Sequence, residues 1–125
     1  MILGHPFQLG ILVRELEPAV ERHGGDWRIV ENPQFSMRLA LQGERPELEL
    51  LQPRPGGAAI LHDWLERRGE GLHHVGIRVD SIAGATERMA AAGYPLLLDG
   101  YWDGGGFAYF DTEAALGYLV EALQL

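Results

Sequence analysis

The polar side chains best suited to chemistry stand at matched places in two parts of the chain. The stretch GLHHVGIRV, residues 71–79, begins a predicted β-strand with two adjacent histidines. His74 shares one face of that strand with Gly76 and Arg78, because side chains alternate between the faces of a strand. His73 falls on the opposite, helix-covered face, where a histidine is ordinarily a packed or hydrogen-bonded group. His74 is therefore the candidate for chemistry.

An internal repeat gives His74 a partner. A shift of 66 residues lays segment 7–22 on segment 73–88 with six identities in sixteen positions and no gap. The shift pairs Gln8 with His74, so both are expected on equivalent faces of two first strands. Each segment opens a series with the pattern strand, helix, strand, strand, strand, which indicates a duplication.

Alternating and helical hydrophobic patterns define the elements that position these residues. In the second series, Ser81 is a candidate N-cap of the helix that follows the first strand, and Gly93 is expected to end that helix. Leu9, Ile11 and Val13 are expected on a helix-covered face, and DGYWDGGG, residues 99–106, is expected to form a glycine-rich turn or loop. The predicted strands are 7–13, 27–30, 35–41, 47–51, 73–79, 95–98, 107–110 and 118–123, and the predicted helices are 17–23, 58–68 and 81–92.

A glutamate lies in the last predicted strand of each series, Glu49 in ELELLQP and Glu121 in YLVEAL. A carboxylate among apolar neighbours either turns to solvent or is buried with a partner or a cation. If the two modules pair about a pseudo-twofold axis, Gln8, Glu49, His74 and Glu121 converge. Such a mixed nitrogen and oxygen set suits a divalent ion such as Zn, Ni, Co, Mn or Fe.

Composition limits the remaining choices. The 125 residues suffice for one domain, and the absence of cysteine excludes disulfides and thiolate metal sites. A net charge of −8 without a basic stripe argues against a nucleic-acid partner. No apolar run approaches the roughly 18 residues of a membrane span, and no signal peptide is recognised, so a cytoplasmic location is expected.

Four motifs together resemble the vicinal oxygen chelate superfamily, which includes glyoxalase I, methylmalonyl-CoA epimerase, extradiol dioxygenases, and fosfomycin and bleomycin resistance proteins. The resemblance extends from Phe7 to Leu123 and is carried by GLHHVGIRVDSI, DWLERRGEG, LELLQP and YFDTEAALGYLVEAL. It implies an α+β, glyoxalase-like fold in which two tandem βαβββ modules form a curved mixed sheet around a central cavity. A single domain is expected over residues 1–125, with module 1 at about 5–53, a connector helix at about 54–70 and module 2 at about 71–125.

The resemblance places the family's metal ligands on Gln8, Glu49, His74 and Glu121. This set departs from the histidine that epimerases have at the first position and is similar to that of eukaryotic-type glyoxalase I, although no equivalent of its glutathione-binding basic residues is found. A single histidine among the ligands argues against a ring-cleaving dioxygenase, which uses two. His5 lies three residues out of register with Gln8.

The function implied by this resemblance is that of a metal-dependent lyase, isomerase or epimerase, which stabilises an enediolate or oxyanion of a small carbonyl or acyl substrate. Glu121 or Glu49 would be the catalytic base. The alternatives are a non-catalytic protein of the bleomycin-resistance type, which sequesters an antibiotic or aromatic ligand, and a metalloprotein of another chemistry. A homodimer is expected from the family.

Further residues are candidates for substrate binding. Arg78 either holds a substrate anion or pairs with an acid such as Glu121. Aromatic and sulfur-containing side chains either contact the substrate or belong to the core or rim. These candidates are Trp27, Met37, Trp102 and Tyr109.

Overall fold

The computed structural model describes residues 1–45 and 47–125, which form an α+β fold of eight strands and four helices. A short 3-10 turn, Pro33–Phe35, precedes the third strand. The elements in chain order are β1 Pro6–Leu12, α1 Leu16–His23, β2 Arg28–Asn32, β3 Met37–Gln42, β4 Leu48–Pro53, α2 Ala59–Arg68, β5 Gly71–Arg78, α3 Ile82–Ala91, β6 Leu96–Trp102, β7 Gly105–Phe110, α4 Glu113–Leu116 and β8 Leu119–Gln124.

The chain divides into two compact units, one comprising Leu9–His73 and the other comprising Met1–Gln8 and His74–Leu125. In the first unit the strands follow the order β2-β3-β4-β1, with β4 parallel to β1. In the second unit the order is β5-β8-β7-β6, with β8 parallel to β5. The other strand pairs within each unit are antiparallel, so the strand pairing in each unit is mixed.

The first helix of each series begins in the same way. The first amide of α1, Leu16 N–H, donates to the Gln52 side-chain oxygen at 3.0 Å, and Ile82 N–H of α3 donates to that of Gln124 at 3.1 Å. A side chain at the end of the last strand thus satisfies a helix amide that has no partner inside the helix. The predicted N-cap Ser81 is confirmed, since its Oγ accepts a hydrogen bond from Gly84 N–H at 3.0 Å.

One hydrophobic cluster lies on the helix side of each sheet. In the first unit it comprises Val13, Leu16, Ala19, Ala40 and Leu50. In the second unit it comprises Leu3, Ile77, Ile82, Ala85, Met89, Ala108, Phe110, Val120 and Ala122. Burying this apolar surface supplies the main favourable term for folding.

Two sequence expectations are wrong. Leu9 is 47% exposed instead of lying on a covered face. Residues 99–106 do not form a loop, because β6 runs to Trp102 and β7 starts at Gly105, leaving a two-residue turn of Asp103 and Gly104. Asp-Gly favours such a turn, and the φ of Gly104 is +82°. The short helix α4 was not predicted.

Arg38 organises the surface charge of the first unit. Its guanidinium lies 2.6 Å from Glu17 and 2.7 Å from Glu31. The hydrogen bond from Arg38 lowers the pKa of the exposed Glu17 carboxyl, and both acids raise the pKa of Arg38. These contacts attach β3 to α1 and to the edge strand β2.

Candidate metal centre and active site

Strand register repeats between the two units at the positions of the two glutamates. In the parallel pair of β1 and β4, Gly10 is the partner of Glu49, and in the pair of β5 and β8, Gly76 is the partner of Glu121. Each carboxylate therefore stands beside a residue without a side chain. The repeat inferred from the first strands extends to the last strands.

Three of the four predicted ligands lie in the same unit and are buried. The exposed fraction is 4% for Gln8, 0% for His74 and 5% for Glu121. His74 Nε2 lies 3.4 Å from Glu121 Oε1, and both atoms are buried, as is Gln8 Oε1. Buried groups of this kind pair with each other or with other polar atoms, or bind a cation.

Gly76 leaves the space that these side chains occupy. A Cβ at residue 76 would lie 3.1 Å from Gln8 Cβ, 3.2 Å from Gln8 Oε1 and 3.2 Å from Leu123 Cδ1. Any side chain here would push Gln8 away, while Glu121 is the strand partner of the same glycine. Gly76 thus leaves room for the Gln8 amide on the face that also carries Glu121 and His74.

The donor set fits a divalent ion. Imidazole nitrogen and carboxylate oxygen both bind such ions at about 2.1 Å, so two ligands of a tetrahedral site lie about 3.4 Å apart. The distance between His74 Nε2 and Glu121 Oε1 is 3.4 Å. Over residues 1–45 and 47–125, no group of three His, Cys, Asp or Glu side chains is arranged to hold a metal. The set in the second unit has only two such residues, and its third donor is the amide of Gln8.

Glu49, the fourth predicted ligand, lies in the first unit. It is half-buried on β4, between Gly10 on one side and Leu41 on the other. Leu50, the next residue, belongs to the helix-side cluster, so Glu49 faces away from the helices. Its approach to the other three side chains stays a prediction.

The candidate substrate residues of the second unit lie on the same face as His74. Tyr109 is the strand partner of Glu121, and its ring centroid is 5.2 Å from that of His74. Trp102 is further along this face and 39% exposed. The exposed Arg78 lies over the ring of Phe7, with 5.9 Å between Cζ and the ring centroid.

The candidate substrate residues of the first unit lie on different faces. Met37 is buried on the face of β3 that also carries Leu41, the neighbour of Glu49. Trp27 packs against the helix-side cluster and donates its indole N–H to Gly24 O at 2.9 Å. Glu49 and Trp27 therefore point to opposite sides of this sheet.

Two further residues clarify the pattern. His73 is fully buried, and its ring makes an edge contact with Trp64 at a centroid distance of 4.8 Å, so it packs in the core as expected. Phe107, which was not predicted as a site residue, lies between Tyr109 and Trp102. Two-residue alternation along β7 is the signal that could have found it.

A separate cavity of about 290 Å³ lies in the second unit on the helix side of the sheet. Val120, which alternates with Glu121, lines it together with Met89 and Tyr118. The cavity therefore lies on the opposite face from His74. Across residues 1–45 and 47–125, no helix combines the length and the hydropathy that crossing a bilayer requires.

The family model described as the glyoxalase, bleomycin resistance protein and dioxygenase superfamily matches residues 7–110. This match covers most of the chain, and the chain belongs to this superfamily. A search of curated protein sequences finds no match. The resemblance inferred from the four sequence motifs is confirmed.

Solved structures show the same fold. A hypothetical protein from Bacillus halodurans has a TM-score of 0.76 at 21% identity, with coverage of 97% of this chain and 94% of that one. A variant of methylmalonyl-CoA epimerase from Streptomyces coelicolor, in complex with 2-nitronate-propionyl-CoA, has a TM-score of 0.74 at 20% identity, with coverage of 97% and 96%. The epimerase from Mycobacterium tuberculosis has a TM-score of 0.71 at 20% identity, with coverage of 98% and 88%. The glyoxalase-like fold class predicted from the sequence is confirmed.

Proposed function

We propose that this protein is a metal-dependent lyase or isomerase that acts on a small carbonyl or acyl compound. The observation that carries the proposal is the buried pair of His74 and Glu121, whose Nε2 and Oε1 atoms are 3.4 Å apart. The pair lies close to Gly76, and the chain belongs to this superfamily. Burying a carboxylate, an imidazole and an amide on one sheet face costs free energy that packing alone does not offset. Binding of a cation gives them a physical reason.

The proposed ligands are Gln8, His74 and Glu121, with Glu49 as the fourth. Oxygen and imidazole donors without thiolates suit Zn, Ni, Co, Mn or Fe as the divalent ion. When bound, the ion supplies a positive charge that polarises neighbouring substrate oxygens and stabilises the negative charge of an enediolate or oxyanion.

Side chains of this chain would accept the proton that the substrate's carbon acid gives up. A general base must come within hydrogen-bond reach of the carbon acid, and both Glu121 and Glu49 can accept a proton. Glu121 is buried next to His74, where water is excluded and an electrostatic interaction is stronger than at the surface. Glu49 is half-buried and therefore freer to move. His74 and Gln8 would hold their positions while one glutamate takes the proton.

Metal analysis tests the proposal. The full chain, purified without chelator and dialysed against each divalent ion, is expected to retain about one ion per chain by mass spectrometry of the metal. His74→Ala and the nearly isosteric Glu121→Gln should each lower retention at least about tenfold, since each removes one donor. His62→Ala is the matched control, because His62 Nε2 contacts Arg54 O at the surface, at 2.9 Å. Circular dichroism checks that every variant folds.

Two results would contradict the proposal. One is a folded protein that retains no ion at saturating concentrations. The other is unchanged retention in both the His74 and the Glu121 variants. A metal-free protein that still binds aromatic ligands would instead support the sequestering function known from the bleomycin-resistance proteins of this superfamily.

The proposal includes a small-molecule substrate and a homodimer. One epimerase of similar fold is in complex with methylmalonyl-CoA and ammonium, at a TM-score of 0.73 and 20% identity. That ligand belongs to the epimerase, and here the support extends to the class of small carbonyl or acyl compounds. Light scattering at several protein concentrations measures the oligomeric state, and a mass of one chain throughout would exclude the homodimer.

A further inference from the structure

A row of aromatic rings extends from His74 across one face of the second unit. Strand register places Tyr109 beside Glu121, and Phe107 and Trp102 follow on the same face. Ring centroids are 5.2 Å apart for His74 and Tyr109, 5.3 Å for Tyr109 and Phe107, and 6.4 Å for Phe107 and Trp102. These four residues are called the aromatic row.

The aromatic row runs from the interior to the surface. Tyr109 is 2% exposed, Phe107 is 5% exposed and Trp102 is 39% exposed. Rings that only fill a core are covered on both sides, whereas Trp102 keeps a large accessible area at the end of the row. Its plane is nearly parallel to that of Phe107, at 19°. The outer end therefore offers a flat apolar surface to a ligand.

The position of Trp102 is built into the hairpin. Gly105 is its strand partner, and a Cβ at residue 105 would clash with the indole, lying 2.9 Å from Trp102 Cε2. The indole thus occupies the space that a side chain on β7 would fill. A ring held in this way loses little conformational entropy when a ligand stacks on it.

Charge in this unit opposes a polyanionic ligand. Residues 1–8 and 74–125 contain seven carboxylates, two arginines and no lysine. Arg78 lies over Phe7, and Arg88 donates to Ile2 O at 2.5 Å. Ligands that carry several phosphates need clustered cations, which this part of the chain lacks.

We propose that the substrate carries a planar aromatic group, uncharged or cationic, which stacks on the exposed ring of Trp102 while its oxygens face His74 and Glu121. The inference rests on the proposed function for the oxygen-binding end. The proposed substrate differs from the coenzyme A thioesters of the epimerases with the same fold, because those thioesters carry several negative charges. Stacking on the aromatic row would select for the flat, apolar part of the substrate.

A matched pair of ligands tests the inference on the full chain. Benzohydroxamate and acetohydroxamate present the same two oxygens and differ in the phenyl group. Titration calorimetry with the metal-loaded protein is expected to show about tenfold tighter binding of benzohydroxamate, the order that stacking and apolar burial supply. Coenzyme A, the polyanionic probe, is expected not to bind at millimolar concentration.

Variants assign the preference to the aromatic row. Trp102→Ala should reduce the ratio of the two affinities to about threefold or less, and Trp102→Phe, which keeps a ring, should restore most of it. Tyr101→Ala is the matched control, since Tyr101 is 53% exposed on the other face of the same strand. It should leave the ratio unchanged.

Each outcome decides the inference. Equal affinities for the two hydroxamates, a phenyl preference that survives Trp102→Ala, no binding of benzohydroxamate, or micromolar binding of coenzyme A would each overturn it. The proposed function fails separately. A protein that retains no metal but binds benzohydroxamate through Trp102 would keep the aromatic row and refute the metal site.

Discussion

Adding one methyl group at Gly76 should disturb the site more than the fold. In Gly76→Ala the new Cβ would lie 3.1 Å from Gln8 Cβ, 3.2 Å from Gln8 Oε1 and 3.2 Å from Leu123 Cδ1. These distances are shorter than normal van der Waals contact, so Gln8 and Leu123 must each move by a few tenths of an ångström. Overpacking of this kind costs about 1–3 kcal/mol. The better strand propensity of alanine offsets about 0.5–1 kcal/mol of that.

The net loss in the free energy of unfolding is therefore about 0–2.5 kcal/mol, with a midpoint of about 1 kcal/mol, or a fall in Tm of up to about 10 °C for a chain of this size. Thermal denaturation followed by circular dichroism measures it. Metal retention should fall in parallel, because the new methyl group would also lie 3.2 Å from Gln8 Oε1, the amide oxygen proposed as a ligand. The double variant Gly76→Ala/Leu123→Ala removes the contact with Leu123 and leaves that with Gln8. It should still bind metal poorly.

Gly84→Ala is the control, and it should raise the free energy of unfolding instead of lowering it. Its Cβ would meet Ser81 Oγ at an ordinary distance of 3.5 Å inside α3. Alanine there should stabilise the helix by about 0.5–1 kcal/mol. A Gly76→Ala protein with unchanged Tm and unchanged metal retention would refute the role assigned to this glycine.

Three other substitutions test the repeat and the surface charges. Gln52→Ala and Gln124→Ala each remove the acceptor of the first helix amide, which lies at 3.0 and 3.1 Å. Each should lower the free energy of unfolding by about 1 kcal/mol, as measured by urea denaturation. A large effect from only one of them would contradict the equivalence of the two units. Because Arg38 lowers the pKa of Glu17 below 4.5, Arg38→Ala should raise that pKa in an NMR titration of the carboxyl carbon. A lowered folded-state pKa contributes stability above the unfolded pKa, and this contribution is lost as the pH falls through the folded value, so the variant should lose less stability on acidification. An unchanged titration of Glu17 would show that the ion pair does not persist in solution.

The repeat was predictable because segments 7–22 and 73–88, each a first strand and most of the following helix, kept six identities at one spacing. It led to the correct order of the strands in each series and to a glutamate in each last strand, and the structure adds the register of Gly10 with Glu49 and of Gly76 with Glu121. The last strands correspond at a different spacing from the first, since the intervening loops differ in length. Chain topology, rather than sequence identity, preserves that correspondence.

What the sequence could not predict depends on tertiary packing. The run at residues 99–106 has the composition of a loop, yet Trp102 lies over Gly105 and Tyr101 over Gly106, so neighbouring rings replace the missing side chains. Helix α4 has four residues, too few for a helical period to be visible. Phe107 shares a face with the candidate Tyr109 through two-residue alternation, but its contact with Trp102 depends on the pairing of β6 with β7.

Anomalous diffraction from crystals grown with a divalent transition metal locates a bound ion and its ligands. We expect one strong peak, with His74 Nε2, Glu121, Gln8 Oε1 and a Glu49 oxygen at about 2.0–2.2 Å from it. The absence of a peak at saturating metal, or a peak from which Gln8 or Glu49 turns away to solvent, would contradict the proposed metal site.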